Sequence, residues 1–338
     1  MSEPAAPVDP RATRVATLAL VGVCLFWGVS FVFIKDIDRV LKRDLAGPAW
    51  LAPLWIVAVR FLSAGLLLLP IPGVVRAMRG PVLKDALWLA IPSVLGYALQ
   101  VAGMRGLDPG TNAFLTSLYT PLTPVLAWLL LRRVPSGHLV AAVLVALGGV
   151  GLLAKATLDA APPEEAGVTP STVAIALVLA ADVCWALQIL GIDRWARRHP
   201  TGAFSCALFL WIGLGGLLAL LVGAAVAGTS PSALLAPLPD PTLLGRMAGL
   251  VFLSTLGAMT LMNRFQPSVD PSRAALLYTL EPVFAATFAA LVDGERFGGL
   301  KLVGCLVLLG ANLVVEAPSL LALAARRPAA SPSASPSG

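Results

Sequence analysis

In a chain of 338 residues, 58% hydrophobic and 12% charged with a mean hydropathy of +0.86, there are too few charges to coat a soluble globule, in which roughly 25% of residues are charged. The formal net charge of +6 comes from 24 Lys and Arg scattered between apolar stretches, with no basic stripe. That pattern excludes nucleic acid as a partner and points instead to membrane topology and contact with a lipid bilayer.

Runs of roughly 17 to 25 apolar residues divide the chain into ten spans, near 15–34, 50–71, 85–104, 110–131, 137–156, 171–191, 202–227, 243–265, 272–292 and 299–316. The expected fold class is therefore an all-α membrane protein. A tail covers residues 1–14, and 159–170 forms a linker with Pro162, Pro163, Glu164 and Glu165. A tail rich in Ala, Ser and Pro, read as disordered, covers 317–338. The first span is too long and too polar at its ends for a cleavable signal peptide, and no small-residue cleavage site follows it.

Order repeats across the chain. Leu107-Asp108-Pro109, then Tyr119, Pro121 and Pro124, is echoed by Val269-Asp270-Pro271, then Tyr278, Glu281 and Pro282, while Trp27 is echoed by Trp185. Trp27 to Trp185 and Pro124 to Pro282 share one separation. The two Asp-Pro pairs and the pair Gly148 and Gly310 are four residues further apart, about one helical turn, which keeps the faces while changing the lengths. Residues 15–158 and 171–316 thus read as two five-helix repeats. An odd number of spans forces the second to enter the membrane upside down, an arrangement of secondary transporters with the substrate site between the halves.

In hydrocarbon a polar side chain costs free energy, so most turn toward the bundle interior or a cavity. The stripes are Trp27 and Ser30 in span one, Ser93, Tyr97 and Gln100 in span three, and Asn112, Thr116, Tyr119 and Thr123 in span four. Span six adds Asp182, Trp185 and Gln188, span eight Thr255, Thr260 and Asn263, and span nine Tyr278 and Glu281. The four-residue run in span four has the spacing of one helix face. Together the stripes mark out a central cavity for a small molecule; singly, Ser, Thr, Asn and Gln also serve interhelical hydrogen bonds in any membrane bundle.

Three groups are ionisable at depth. Arg60 either holds an anionic substrate group, pairs with an acid, or snorkels to the interface, with the last two favoured. Glu281 precedes Pro282, whose missing N–H opens the helix about a turn earlier; it either exchanges a coupling proton or caps the freed backbone and pairs with Arg60. For Asp182 both roles stay open. Nothing calls for a metal or cofactor. Cys24, Cys184, Cys206 and Cys305 lie in apolar segments without CxxC spacing and read as small core hydrophobes.

At these residues the chain resembles the drug/metabolite transporter superfamily, specifically EamA-like exporters. The matching segments are Phe26-Trp27-Gly28-Val29-Ser30-Phe31, Arg60-Phe61-Leu62, Asn112-Ala113-Phe114-Leu115-Thr116, and Glu281-Pro282-Val283-Phe284-Ala285 followed by Gly294-Glu295. They extend over residues 15–316. The resemblance implies ten helices in two inverted repeats, a central cavity from spans one, three, four, six, eight and nine, and a secondary transporter exporting a small metabolite or drug-like molecule. The first half departs from the pattern, with Leu131-Arg132-Arg133 where many relatives carry a Gly-Glu pair.

An enzyme fits less well, because His138 and His199 fall at span edges and no HExxH occurs; no Walker or GxGxxG pattern indicates a nucleotide-driven pump. A lipid-handling or structural membrane protein is the remaining alternative. Placing both termini in the cytoplasm puts fourteen Lys and Arg beside the spans on that side against nine on the other, the sense of the positive-inside rule. The linker at 162–167 then lies outside. Ala166→Cys should react with an impermeant thiol reagent on intact cells, and labelling only after permeabilisation would reverse the assignment.

Overall fold

The computed structural model describes residues 10–131, 137–160, 171–269 and 277–325, and among these it is helical with no strand. The main helices are α1 (Pro10–Asp44), α2 (Leu51–Leu68), α3 (Gly80–Met104), α4 (Pro109–Thr116), α5 (Tyr119–Leu131), α6 (Gly137–Asp159), α7 (Ser171–Trp195) and α8 (Thr201–Val226). Then follow α9 (Pro241–Gly249), a π-helical stretch (Leu250–Met259), α10 (Thr260–Phe265), α11 (Leu280–Val292) and α12 (Gly299–Ala325). Eight helical segments are long and apolar enough to cross a membrane, and two shorter apolar helices, Leu280–Val292 and Gly299–Ala311, accompany them. The first five residues of the expected ninth span, like Asp270-Pro271, Arg132-Arg133 and 161–170, lie outside the described residues.

Two boundaries differ from expectation. α1 continues ten residues past the first apolar run, to Asp44, because the charges of 35–44 are paired rather than solvated, as described below. α12 reaches Ala325, so 317–325 is helical rather than part of a disordered tail; Leu320, Leu321, Ala322, Leu323, Ala324 and Ala325 are strong helix formers.

Prolines explain the interruptions. The fourth span breaks at Ser117-Leu118 between α4 and α5, four residues before Pro121, which has no N–H to offer the carbonyl of Ser117; that carbonyl accepts from the Thr120 N–H at 3.1 Å instead. Ser117 Oγ donates to the carbonyl of Phe114 at 2.7 Å. The ninth span has its turn at Thr279, one residue after Tyr278, whose carbonyl Pro282 cannot satisfy. In the eighth span Thr255 Oγ1 donates to the carbonyl of Leu250 at 3.1 Å inside the π-helical stretch, a local widening that often marks a functional region.

Packing crosses between the two halves. α2 lies along α8, and α6 along α12; α3 packs on α7 while α1 packs on the π-helical stretch; α1 packs on α11 while α5 packs on α7. Under the correspondence of span one with six, three with eight and four with nine, each such contact exchanges with its counterpart. The backbones meet at small residues. A Cβ on Gly213 of α8 would fall 2.5 Å from the Leu62 backbone nitrogen, and one on Gly28 of α1 would fall 2.9 Å from the Ala285 nitrogen of α11. Away from these seams Leu66, Trp88, Leu218 and Leu291 are exposed, as lipid-facing side chains should be.

Gly213→Val should destabilise the protein by about 1 to 3 kcal/mol, the usual cost of overpacking, seen as a lower melting temperature in detergent. Gly245→Ala, where a Cβ meets open space, should change it by less than about 0.5 kcal/mol. Equal melting temperatures for the two variants would contradict the close approach of α2 and α8.

Candidate functional site

One cavity, with about 660 Å³ of space unfilled by protein atoms including open solvent, is lined from both halves of the chain. α1 presents Trp27 and Ser30 to it, α2 Arg60, α3 Tyr97 and Gln100, and the broken fourth span Thr116 and Tyr119. Trp185 and Gln188 come from α7, and Tyr278 and Glu281 from the proline-opened ninth span. Ten of the eleven residues expected to contact substrate therefore share one wall, and Arg60 joins them.

The exception is Asn263. Its Nδ2 donates to Ser205 Oγ of α8 at 2.9 Å, so it serves helix packing, the alternative use of a membrane amide. Asp182 is fully buried outside the cavity lining, and both of its carboxylate oxygens lack a hydrogen-bond partner. Thr123 Oγ1 donates back to the carbonyl of Tyr119 at 2.7 Å and Ser93 Oγ to that of Leu89 at 2.7 Å. Both satisfy their own helices and stay out of the wall.

Arg60 is buried rather than reaching the interface, and it pairs with no acid among the described residues. It is 3% exposed; Nε donates to Thr255 Oγ1 at 2.7 Å and Nη2 to Ser254 Oγ at 2.8 Å. Its guanidinium carbon lies 4.9 Å from the Phe61 ring centre and 5.0 Å from that of Tyr97, a cation–π arrangement. The π-helical stretch thus supplies the hydroxyls that hold a cation in the cavity wall. Glu281 makes a different contact, accepting from Tyr119 Oη at 3.1 Å, which joins the opened ninth span to the broken fourth.

Aromatic rings occupy much of the remaining wall. Trp185 meets Tyr97 edge-on at 4.4 Å between ring centres, and Trp27 meets Tyr278 at 5.9 Å. Trp27 Nε1 donates to the Ser254 carbonyl at 3.3 Å, and Tyr278 Oη to Gln266 Oε1 at 2.9 Å. Gln100 Nε2 donates to Thr116 Oγ1 at 3.1 Å, and that hydroxyl donates to the Asn112 carbonyl at 2.9 Å. Sequence reasoning missed Phe31, Ile34, Ile189, Ile192, Met262 and Ser254, which complete the lining. The signal for four of them was available: Phe31 and Ile34 follow Trp27 by four and seven residues, and Ile189 and Ile192 follow Trp185 likewise, the spacing of one helix face.

At the end of the bundle near Asp44, ion pairs join the helices around the cavity. Lys301 bridges Glu295 at 2.8 Å and Asp108 at 3.1 Å; Arg39 reaches Asp293 at 3.1 Å, Arg246 reaches Asp36 at 2.8 Å, and Arg105 reaches Asp38 at 3.3 Å. Glu295 also accepts the backbone N–H of Gly110 at 2.8 Å and of Thr111 at 3.2 Å, capping the start of α4 from the opposite half of the chain. Asp240 caps α9 through the Leu243 N–H, which, with Arg43 beside it, holds its carboxyl below the usual carboxylate range. His199 sits apart, 2.8 Å from Asp85 and stacked on Phe204. The four cysteines are buried and unpaired.

Comparison with known proteins decides the family. The model of the EamA-like transporter family matches residues 14–155 and again 172–316. The chain belongs to the EamA-like transporter family. Membership makes this EamA-like chain an integral, multi-pass membrane transporter of the drug/metabolite transporter superfamily. It is 26% identical over 302 residues to an uncharacterized transporter of Archaeoglobus fulgidus, covering 89% of this chain and 85% of that one. It is also 26% identical over 280 residues to the protein PecM of Dickeya dadantii, covering 79% and 84%. A protein crystal structure superposes on 93% of this EamA-like chain and 99% of its own, with a TM-score of 0.61 and 16% sequence identity, which shows a shared fold.

Proposed function

We propose that the protein is a secondary transporter that exports a small metabolite or drug-like molecule by alternating access, without catalytic chemistry. The observation that carries this reading is that one cavity takes its wall from both family-matched regions: Trp27, Tyr97 and Tyr119 from the first, Trp185, Tyr278 and Glu281 from the second. A site shared in this way changes its exposure when one half rocks against the other. The repeats are 15–158 and 171–316, joined by 159–170, with ten spans and the second repeat inverted. The exchange of helix contacts between the halves supports this arrangement, because it is the pattern a two-fold relation produces.

The membrane is the cytoplasmic (inner) membrane of a bacterial cell, with both termini in the cytoplasm, on the positive-charge bias given above. The ion-paired end then faces outward. It is the natural outer gate, since its partly exposed pairs, Arg39–Asp293 and Arg246–Asp36, each contribute only about 0 to 1 kcal/mol and separate readily, whereas Arg105–Asp38 and Lys301–Glu295 are more buried.

Glu281 is the proposed proton carrier: a buried carboxylate in the cavity wall, hydrogen-bonded by the Tyr119 hydroxyl alone among the described side chains, on a segment that Pro282 has opened. In sealed liposomes, Glu281→Gln should still exchange substrate across the membrane while losing accumulation driven by a pH gradient. Gradient-driven accumulation that survives the change would remove Glu281 from coupling. A wild-type protein that moves none of a broad metabolite panel would overturn transport itself in favour of a lipid-handling or structural role.

A further inference from the structure

The cavity wall is unbalanced in its hydrogen-bonding groups. Arg60 carries five N–H donors; Thr255 and Ser254 take one each, and no carboxylate among the described residues pairs with it. The carboxylate that shares the wall, Glu281, is engaged by Tyr119 instead. Two more donors point the same way: Trp185 Nε1 and Gln188 Nε2 are buried and have no acceptor. These residues are 8% and 6% exposed, and they sit one helical turn apart in the lining. Tyr97 links the groups, since its ring lies 5.0 Å from the guanidinium carbon of Arg60 and 4.4 Å from the Trp185 ring.

A buried cation with hydroxyls but no counter-charge among the described residues, and an indole N–H with no acceptor, carry a desolvation penalty, and an anion arriving between them relieves it. An ammonium ligand there would meet like charge and donor groups. The surrounding aromatic faces of Tyr97 and Trp185 suit a flat ring attached to the anion.

We infer that the cavity recognises its substrate through an anionic group, a carboxylate on a planar ring, held by Arg60 and the indole N–H of Trp185 with Gln188 beside them. This rests on the cavity being the substrate site. Within that reading, Arg60 is the residue that sets charge selectivity.

The test uses three probes with the same ring, benzoate, benzamide and benzylammonium, titrated into the full-length protein in nanodiscs at neutral pH by calorimetry. Benzoate should bind about tenfold or more tighter than either other probe, the ratio expected for charge-assisted hydrogen bonds. Arg60→Gln should bring the benzoate to benzamide ratio close to one, and Arg60→Lys should keep part of it. Trp185→Phe, which retains the ring and deletes the N–H, should lower the ratio several-fold, and it serves if Arg60→Gln does not fold. Benzamide or benzylammonium binding as tightly as benzoate, no binding by any of the three, or a ratio unchanged in both Arg60→Gln and Trp185→Phe would overturn the inference. The two readings fail separately: liposome flux of neutral or cationic compounds with no preference for benzoate sinks the charge selectivity and leaves transport intact. Benzoate preference without flux of any compound does the reverse.

Discussion

Hydrocarbon offers no hydrogen bonds, and that constraint organises this molecule. A polar group inside the bilayer that finds no partner within the protein costs free energy, so most of the few polar residues of a 58% hydrophobic chain are drawn together, with Asp182, Trp185 and Gln188 keeping unsatisfied atoms. Thr116 satisfies both Gln100 and the carbonyl of Asn112, Tyr119 satisfies Glu281, and Ser254 and Thr255 hold Arg60. The irregular backbone occurs where it is tolerated at membrane depth, beside this cavity: the proline-opened fourth and ninth spans and the π-helical stretch all contribute to its wall.

Rigidity and yielding are divided between different parts of the fold. Where α2 meets α8 the backbones approach over glycine and resist change, since interiors packed at this density are bistable rather than compressible. The polar end is held by lysine, arginine and carboxylate contacts, many of them partly exposed, whose individual worth is small. Glu295 and the Arg105–Asp38 pair are exceptions, nearly buried, and Glu295 is tied to both Lys301 and the start of α4. It connects the segment after α11 directly to the broken fourth span, which carries Thr116 and Tyr119 in the cavity wall.

Much of this was legible in the sequence because hydropathy and helical spacing are local signals. The eight long apolar helices followed from apolar runs, and the convergence of Trp27, Tyr97, Thr116, Trp185 and Glu281 followed from polar stripes on single helix faces. What depended on neighbours was not legible. Nothing near Asn263 announces that Ser205 takes its amide, and nothing near Arg60 announces two hydroxyls 194 and 195 residues away. The extension of α1 through Asp44 needed partners from Asp108, Arg105, Arg246 and Asp293 before its charges could be read as paired. The apolar lining by Phe31, Ile34, Ile189 and Ile192 is invisible to hydropathy, because an isoleucine facing a cavity and one facing lipid look alike; only their helical spacing from Trp27 and Trp185 marks them.

Alternating access requires that the cavity be reached in turn from the two sides of the membrane. Ser30→Cys places a thiol in the wall, on a background whose native cysteines are buried. In sealed, uniformly oriented liposomes an impermeant thiol reagent should label it from either side, with the faster side changing when the transmembrane gradient is reversed. A thiol that reacts from neither side, or from one side alone whatever the gradient, would contradict alternating access.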